Sequence, residues 1–591
     1  MGTNVYPHPK PQFVNFPSRR SVIHSTKGIV SCTQPLASAA GIEILRKGGN
    51  AADAAVAVAA ALNVTEPGST GIGGDMFCLF FDGKTKKVHA MNGSGRTSQN
   101  VTLDTIKSAL NFEASKNGNI PMTSVHAVTV PGAAAGWVDC VERFGSKKVT
   151  LEDVLAPAIE LARNGYPVSE LSATFWAHGE SRIRKASANF AEILKKDSSA
   201  KDGCRPPKAG EIMRNPTLAN TFELLATHGK NGFYEGEVAD QIVKVVTDLG
   251  GYLTLDDLKH HAETGSEAIE PICLRYTADG TDGGIVLWEH PPNGQGIVAL
   301  MALGILQELE KQRKIPKWSY NDHNTTAYLH AVIEALRIAF ADTHWFVADP
   351  NVVKVPSAEL ISQQYLAERA KLFDPKKATS ALIHGSPAHL QSDTVYFCCS
   401  DSDGNAISFI NSNYGGFGTA IVPQGCGFTL QNRGANFSLI KGHPNVFASR
   451  KRPYHTIIPG LTTYAKDQSL HSVFGVMGGF MQPQGHVQVL LNQEVFKLNP
   501  QDALDSPRFC IGAGTPSNDG SRKDATIYVE EGIDVNVIEE LRALGHHVEQ
   551  LTGFERDMFG RGQIIRQHFD DGIMVWSGGS DLRGDGASVP L

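Results

Sequence analysis

The sequence lacks the features that mark membrane and nucleic-acid-binding proteins. It has no apolar signal core near its start, and none of its stretches is long and apolar enough to predict a transmembrane helix. Its net charge is −7, from 54 basic and 61 acidic residues, and no long basic run is present. Such a charge pattern argues against nucleic acid or an anionic membrane as a partner. We therefore expect a cytoplasmic protein that engages neither.

Cysteine is scarce and irregularly placed. The nine cysteines are an odd number, and no pair has the spacing that is typical of a zinc site or a redox pair. This pattern favours a reducing compartment. It predicts no metal site, and no organic cofactor is indicated by any other motif.

The chain nevertheless has ample material for a core. It contains 591 residues, of which 41% are hydrophobic, a length that ordinarily suggests two or more domains. Apolar residues at three- and four-residue steps predict helices at 35–47, 54–62, 133–144, 151–164, 170–178, 216–228, 237–249, 297–310, 327–342, 484–491, 499–504 and 537–544. Strands are predicted at 28–32, 76–81, 88–92, 273–275, 284–288, 428–431, 457–464 and 472–476.

One stretch reads as a β-hairpin that follows a segment of a different kind. Residues 374–393 contain proline, glycine and little periodicity, which predicts a flexible segment. Residues 394–400 are then mostly apolar, and strand character resumes at 406–410. Asp403-Gly404 between them is a favoured two-residue turn, because both positions tolerate positive φ.

The first residue of this predicted strand is Thr394, and a threonine there has a chemical use. If the peptide bond before it were cut, its hydroxyl and its freed α-amine would belong to one residue. An α-amine has a pKa near neutrality, so it can act as general base beside its own nucleophile.

Several motifs resemble the γ-glutamyltranspeptidase family, and its acylase-like branch most closely. The stretch 394–436, with Lys451-Arg452-Pro453 and Gly478-Gly479 downstream, resembles the small subunit of that family. Motifs similar to the large subunit are Gly48-Gly49-Asn50-Ala51-Ala52-Asp53-Ala54, Gly71-Ile72-Gly73-Gly74-Asp75, Val130-Pro131-Gly132, Ala156-Pro157-Ala158 and Ala339-Phe340-Ala341-Asp342. They recur in the family's order over nearly the whole chain, which makes the resemblance specific.

The resemblance implies a fold and a processing step. The implied fold is α+β, the four-layer αββα sandwich of N-terminal-nucleophile hydrolases, formed jointly by two segments of one precursor. Cleavage between Asp393 and Thr394 would yield a large subunit of residues 1–393 and a small subunit of residues 394–591. The boundary is thus expected to be a processing site within one folded unit.

The resemblance also assigns catalytic roles. Thr394 is implied as nucleophile and base, and Ser412 stands where the family has a threonine that contacts the nucleophile. Gly478 and Gly479 match the family's glycine pair, whose N–H groups form an oxyanion hole. A plain turn is the alternative reading of that glycine pair.

Substrate-binding residues are implied in the same way. Arg96 matches the arginine that binds the α-carboxylate of a γ-glutamyl group, and His455 and Thr456 replace a serine pair. Tyr414 replaces an asparagine, which predicts a phenol that closes one side of the pocket. A packed core aromatic is an equally good interpretation of Tyr414.

Two positions depart from the transpeptidases. Asn436 stands where they have an aspartate for the substrate's α-ammonium, and Arg433 replaces a neutral or acidic side chain. The loss of that carboxylate removes a hydrogen bond worth about 1.5–3 kcal/mol. With Arg96 and His455, these changes favour an anionic acyl group without an amine, such as the monoamide of a short dicarboxylic acid. Alternatively, Arg433 pairs with a protein carboxylate and says nothing about substrate.

Three functions follow as hypotheses. The first is a self-processing threonine amidohydrolase that acts on a small-molecule amide through an acyl-Thr394 ester. The second is a glutathione hydrolase or γ-glutamyltransferase, in which Asn436 still holds the ammonium. The third, of another class, is an unprocessed pseudoenzyme that only binds a ligand. The sequence leaves the natural amide, the acceptor and the oligomeric state open.

Overall fold

Two seven-stranded sheets packed face to face dominate the fold. The computed structural model describes residues 20–112, 119–277, 283–379, 393–512 and 526–591, with the short strands Thr515–Pro516 and Arg522–Lys523. Helices cover the outer face of each sheet. This arrangement is an αββα sandwich, so the predicted fold class is confirmed.

The first sheet contains Thr394, and we refer to it as the Thr394 sheet. Every neighbouring pair of its strands is antiparallel. Its strands, in spatial order, are Ala587–Pro590, Ile29–Cys32, Asp393–Ser400, Ala406–Tyr414, Asp75–Asp82, Lys87–Gly93 and Glu267–Ile269. The predicted hairpin therefore occupies the centre of this sheet.

The other large sheet, here the second sheet, is also antiparallel throughout. Its strands, in spatial order, are Ile23–Ser25, Ile573–Ser580, Gly562–Asp570, Leu470–Val476, Gly460–Tyr464, Ile285–Glu289 and Ile272–Tyr276. A three-stranded sheet is formed by Phe509–Ile511, Ile527–Glu530 and Val548–Leu551. Two-residue strands pair as Tyr166–Pro167 with Ile212–Met213, Lys195–Lys196 with Cys204–Arg205, and Thr515–Pro516 with Arg522–Lys523.

The alternation of side chains along the central strand explains the layers. Val395, Phe397 and Cys399 belong to the core between the Thr394 sheet and its helices. Tyr396 and Cys398 point the other way, into the core between the two sheets. Successive strand residues face opposite sides, so a strand that is apolar at every position must be covered on both.

Helices supply the two outer layers. The longer ones are Pro35–Arg46, Ala51–Thr65, Ala133–Phe144, Leu151–Asn164, Glu170–Ala186, Pro216–His228, Gly236–Asp248, Leu255–Thr264, Ile297–Lys311, Thr326–Phe346, Gln363–Ala370, Met481–Glu494 and Val535–Ala543. Shorter ones are Leu103–Ala109, Asn231–Tyr234, Ser357–Leu360 and Pro500–Asp505. Within the described residues, no helix combines the length and apolar character needed to cross a membrane. All nine cysteines are free thiols.

The predicted strand at 428–431 is wrong. Those residues are buried but irregular, because their backbone groups bond to separate partners instead of one ladder. Leu430 accepts from the N–H of Thr419 at 2.8 Å and donates to Ile421 at 2.9 Å, whereas Gln431 donates to Gly73 at 3.0 Å. Ala420, opposite this segment, has a φ of +62°, which a regular strand does not allow.

The hairpin turn also differs from the prediction. The connection between Ser400 and Ala406 has five residues, and within it only Gly404 has positive φ, at +84°. Asp401 closes the loop through its carboxylate, which accepts from the N–H groups of Asp403 at 2.9 Å and Asn405 at 3.1 Å. This carboxylate satisfies the loop backbone, so a tight two-residue turn is not needed. Residues 380–392 of the predicted flexible segment lie outside the described residues.

Candidate active site

Thr394 lies where the central hairpin becomes irregular. Its strand begins one residue earlier, at Asp393. Asp393 pairs with Tyr414 and Val395 with Asn411, which leaves a β-bulge at Thr394. Bulges re-aim a side chain and interrupt pairing, and they are frequent beside active sites. The Thr394 side chain is fully buried, and its Oγ1 lies 3.0 Å from Ser412 Oγ.

Ser412 joins the nucleophile candidate to an unusual backbone position. Its Oγ accepts a hydrogen bond from the N–H of Tyr414 at 2.8 Å. Tyr414 has a φ of +76°, in the left-handed region that bulky residues rarely adopt. Such strain is typical of functional sites, where the surroundings hold it in place. Ser412 therefore contacts Thr394 and also stabilises the backbone that directs the Tyr414 ring.

The Tyr414 ring supports the guanidinium of Arg433. The Arg433 Cζ lies 4.4 Å from the ring centroid, and its Nη1 donates to Thr456 Oγ1 at 2.6 Å. Tyr414 also packs in an apolar cluster with Phe437, so it is both a core aromatic and a contact of Arg433. Its hydroxyl interacts with the side chain of Asn436. Burial raises the pKa of Tyr414 to about 12, so the phenol stays neutral.

Arg433 is a buried cation without an ion pair among the described residues. It is 0% exposed, and neither Nε nor Nη2 has a hydrogen-bond partner there. Burial lowers its pKa to about 10, although Asp75 and Tyr414 act in the opposite sense. A pKa of that size leaves the guanidinium charged at neutral pH. The alternative in which Arg433 pairs with a protein carboxylate is therefore not supported by these contacts.

Asp75 organises the neighbouring backbone and is fully buried. Its Oδ1 accepts from the N–H groups of Gly95 at 2.9 Å and Gly132 at 3.2 Å, and its Oδ2 lies 3.0 Å from His455 Nε2. Burial raises the pKa of Asp75 to about 6, and Arg433 is the largest opposing influence. Asp75 also lies directly opposite Ser412 on the neighbouring strand of the Thr394 sheet. Ser412 in turn contacts Thr394.

His455 is held by contacts with the protein on both sides of its ring. Its Nε2 faces Asp75, and its Nδ1 accepts from the N–H of Ile457 at 3.4 Å. Burial, followed by the nearby Arg433, lowers its pKa well below the usual value, so the ring is neutral. Both ring nitrogens of His455 face protein atoms, and its contact with a substrate stays a prediction. His455 supports Asp75, and Thr456 remains in contact with Arg433.

Arg96 forms an ion pair with a protein carboxylate. Its Nη2 forms an ion pair with Glu267 Oε1 at 2.5 Å, and Arg452 binds the other oxygen of that carboxylate at 2.8 Å. Within the described part of the chain, Arg96 makes no contact with Arg433 or Asn436. The prediction that Arg96 faces the same pocket as Arg433 and Asn436 stays a prediction, because Arg96 Nη1 is buried without a hydrogen-bond partner among the described residues. Glu267 is brought to it by an edge strand that pairs with residues 90–92, a contact that short-range sequence patterns do not show.

Gly478 and Gly479 form a loop between the strand Leu470–Val476 and the helix Met481–Glu494. Their φ values are +125° and +58°, a backbone conformation that suits glycine. Among the described residues, neither N–H group donates a hydrogen bond to the protein. Two unengaged N–H groups on adjacent residues can bind an oxyanion, and their role beside Thr394 stays a prediction.

Gln295 links this glycine loop to the Arg433 side of the site. Its Nε2 donates to the carbonyl oxygens of Thr456 at 2.7 Å and Gly479 at 2.9 Å. Its Oε1 accepts from the Tyr454 hydroxyl at 3.0 Å. One buried amide therefore fixes the glycine loop relative to Thr456, which itself holds Arg433.

Comparisons with known proteins identify the family. A sequence model of the family described as Gamma-glutamyltranspeptidase matches residues 37–591. The chain belongs to this family. The glutathione hydrolase-like YwrD proenzyme of Bacillus subtilis is 34% identical over 97% of this chain and 100% of its own. The oxamate amidohydrolase proenzyme of Klebsiella pneumoniae is 30% identical over 96% of this chain and 98% of its own.

A solved structure agrees with this family assignment. The crystal structure of a cephalosporin acylase from Bacillus halodurans is 37% identical and superposes with a TM-score of 0.83, covering 98% of this chain and 99% of that one. As a member of the gamma-glutamyltranspeptidase family, the protein is an amide hydrolase with the N-terminal-nucleophile fold.

Asp75 and Gln295 are the site residues of this family member to which the sequence assigned no role. Asp75 ends a glycine-rich motif that resembles the family, and Gln295 lies in the proline- and glycine-rich stretch 291–296. Their partners His455 and Gly479 lie far along the chain. A polar side chain within a glycine-rich stretch is the local signal that could have indicated both residues, because such a side chain, once buried, needs a hydrogen-bond partner.

We expect Gln295→Leu to lower kcat/KM about 10- to 100-fold. The change leaves two buried carbonyl oxygens without their donor, a loss of about 1–3 kcal/mol that would loosen the glycine loop. Steady-state kinetics on two acyl donors should show the same factor for both, because the glycine N–H groups serve any acyl group. Gln307→Leu, on a partly exposed helix position, is the matched control and should retain activity. A Gln295→Leu enzyme with a lower melting temperature but unchanged kcat/KM would limit Gln295 to stability.

Proposed function

We propose that the protein is a self-processing threonine amidohydrolase whose acyl pocket takes an anionic group without an α-amine. Cleavage before Thr394 would create a large segment of residues 1–393 and a small segment of residues 394–591 that stay folded together. The substrate would be a small amide with a carboxylate at the far end of its acyl part. Arg433 would bind that carboxylate.

The observation that carries this proposal is the free edge of Arg433. Its Nη1 is held by Thr456, whereas Nε and Nη2 have no partner within the described chain. Those two nitrogens form the side of a guanidinium that binds a carboxylate through two parallel hydrogen bonds. A buried cation is costly unless it is paired. An anionic ligand would supply the missing partner, and stacking on Tyr414 keeps the guanidinium plane oriented for it.

The same region offers little to a substrate ammonium. Asn436 donates its Nδ2 to the Tyr454 carbonyl at 3.1 Å, and its side chain also interacts with Tyr414. Asp75, the carboxylate that acts on Arg433, already accepts from Gly95, Gly132 and His455. A γ-glutamyl donor would bring its ammonium towards Arg433 without a free carboxylate to offset the repulsion.

The chemistry would proceed in two balanced steps. The α-amine of Thr394 takes the proton of Oγ1 as that oxygen attacks the amide carbon, and Ser412 orients the hydroxyl. The N–H groups of Gly478 and Gly479 stabilise the oxyanion, and the protonated amine gives its proton to the leaving nitrogen. Water then attacks the acyl-Thr394 ester by the reverse sequence, releasing the acid and restoring Oγ1–H. No metal or organic cofactor enters these steps.

The names of two relatives support this proposal. One is described as an oxamate amidohydrolase, and oxamate is the monoamide of a dicarboxylic acid with no amine on its acyl carbons. Another is described as a cephalosporin acylase. Relatives described as glutathione hydrolases keep the γ-glutamyl alternative open, and one from Escherichia coli is 29% identical over 82% of this chain.

A matched substrate pair tests the proposal. Glutaryl-p-nitroanilide and γ-glutamyl-p-nitroanilide differ only in the α-amine, so the ratio of their kcat/KM values measures its effect alone. We expect processed wild type to prefer the glutaryl compound at least about tenfold, equivalent to about 1.4 kcal/mol. Oxamate and glutathione, followed by product detection, extend the comparison to natural amides. A preference for the γ-glutamyl compound would favour the glutathione hydrolase alternative.

A further inference from the structure

Three metal-binding side chains converge in the helical layer over the second sheet. His330 and Glu334 lie on the helix Thr326–Phe346, and His546 follows the helix Val535–Ala543. Their exposed fractions are 1%, 0% and 5%, respectively. One ligand atom from each residue lies within 4.8 Å of the other two. The cluster has no contact with Thr394, Arg433 or the glycine loop among the described hydrogen bonds and ion pairs.

The local structure explains how the three side chains meet. His330 and Glu334 are four residues apart, so they share one face of their helix. The helix Val535–Ala543 packs on that helix, and Gly545, with a φ of +97°, turns the chain so that His546 comes back to it. His330 Nδ1 and His546 Nε2 are then only 2.8 Å apart.

The hydrogen bonds leave His330 in the form that a metal requires. Its Nε2 lies 2.8 Å from the carbonyl oxygen of Asp374, and a carbonyl only accepts, so Nε2 carries the hydrogen. With that hydrogen on Nε2, Nδ1 can present its lone pair towards His546 Nε2. A backbone carbonyl on the far nitrogen is the usual outer partner of a metal-binding histidine. The hydrogen shared by His330 Nδ1 and His546 Nε2 lies where a metal ion bound by both nitrogens would lie.

Glu334, like His330, is oriented by hydrogen bonds from neighbouring groups. One carboxylate oxygen accepts from Arg337 at 2.7 Å, and the other accepts from the N–H of Thr379 at 3.0 Å. Each oxygen keeps a second lone pair, and metal-binding carboxylates are commonly hydrogen-bonded by such outer partners. Asp374 and Thr379 thus connect both ligand residues to one segment of the chain.

We propose that His330 Nδ1, Glu334 and His546 Nε2 form a structural site for Zn²⁺. Two imidazoles and a carboxylate are a zinc ligand set, and water could complete the tetrahedron. Zinc–nitrogen bonds of about 2.0–2.1 Å at tetrahedral angles place the two nitrogens about 3.3 Å apart. The imidazoles would therefore separate by about half an ångström, and the carboxylate would move inward. The bound ion would join the two helices to the segment 374–379.

Metal content and thermal stability test this site. Full-length enzyme, treated with a chelator and then dialysed against Zn²⁺, should retain about one equivalent per chain by plasma mass spectrometry. Zn²⁺ should also raise the melting temperature in a saturable way, because it binds the folded chain. Co²⁺ in its place should show the visible absorption of a tetrahedral complex. Hydrolysis of the preferred acyl donor should survive chelation, since the ion lies outside the Thr394 site.

Three variants make the result specific. His546→Asn keeps a polar side chain of similar size and should weaken Zn²⁺ binding more than about a hundredfold. Removal of a residue that only hydrogen-bonds to a metal ligand costs about 10- to 100-fold, so a larger loss marks His546 as a ligand itself. His546→Cys keeps a zinc ligand and should retain the ion. His471→Asn alters a buried histidine outside the cluster, which contacts Glu494, Thr462 and Ser472, and this variant should retain the ion. The proposal is overturned if wild type retains no more Zn²⁺ than His546→Asn, or if His471→Asn loses the ion equally.

Discussion

Thr394→Ala should yield a single uncleaved chain that hydrolyses no amide, whereas wild type should separate into two chains on a denaturing gel. The substitution removes the Oγ1 atom that would attack both the Asp393–Thr394 bond and the substrate. Thr394 is buried at a β-bulge with its hydroxyl against Ser412, so the methyl that remains fits the same space. Because the reaction needs this atom, activity should fall at least about a thousandfold.

Two companion variants separate chemistry from folding. Thr394→Ser keeps the hydroxyl and should mature slowly and retain partial activity. Thr462→Ala removes a buried strand hydroxyl that contacts His471 and Ser472 in the second sheet, and it should be cleaved and active. Amino-terminal sequencing of the small chain should begin Thr394-Val395-Tyr396. Cleavage at another bond, or processing of Thr394→Ala, would contradict the assignment.

Arg433→Met should lower kcat/KM for glutaryl-p-nitroanilide on the order of a hundredfold while raising the melting temperature or leaving it unchanged. The guanidinium is fully buried and lacks an ion pair among the described residues, so its removal relieves a desolvation cost. Methionine keeps the unbranched apolar part of the side chain, and its flexible thioether can pack against Tyr414. The loss of two charge-assisted hydrogen bonds to the substrate carboxylate accounts for the kinetic effect.

Opposite changes in activity and stability distinguish a binding role from a structural one. A structural arginine would lose stability on substitution, and activity would follow it. If Arg433→Met lowers the melting temperature and leaves the ratio between the two p-nitroanilides unchanged, Arg433 does not face the acyl group.

Asn436→Asp extends the same test to the amine. The new carboxylate cannot donate to the Tyr454 carbonyl, so it must turn away and can meet either a substrate ammonium or Arg433. We expect a shift towards γ-glutamyl donors of up to about a hundredfold, larger in the double variant with Arg433→Met than in the single variant. Asn100→Asp makes the same chemical change on an exposed residue and should leave the ratio unchanged. An unmoved ratio in the double variant would remove Asn436 from the acyl pocket.

Local patterns were sufficient for many elements of the fold. The helices Ala133–Phe144, Leu151–Asn164 and Pro216–His228 have the predicted bounds, because their ends are marked by short-range signals. Thr150 and Asp153 form a capping box at the start of one, and Asn215 caps another just before Pro216. The strands of residues 562–590 were missed, because Ile564 and Ile565 are adjacent along Gly562–Asp570 and three polar residues follow them, so the two-residue period of a strand is absent.

The sequence by itself determined the family, the sandwich fold and the position of the candidate nucleophile. The family and the fold follow from the ordered motifs that resemble the γ-glutamyltranspeptidases, and each motif is a run of neighbouring residues. Thr394 stands out for the same reason, because a segment without periodicity ends directly before it.

Only the tertiary structure decided which charges are available to a substrate. Arg96 shares the Glu267 carboxylate with Arg452, whereas Arg433 has no ion pair in the described chain. His455 is made neutral by burial beside Asp75, a residue 380 positions away. The convergence of His330, Glu334 and His546 has the same origin. Charge state and partner choice depend on distance and burial in space, and those quantities are set by long-range packing that no local sequence pattern contains.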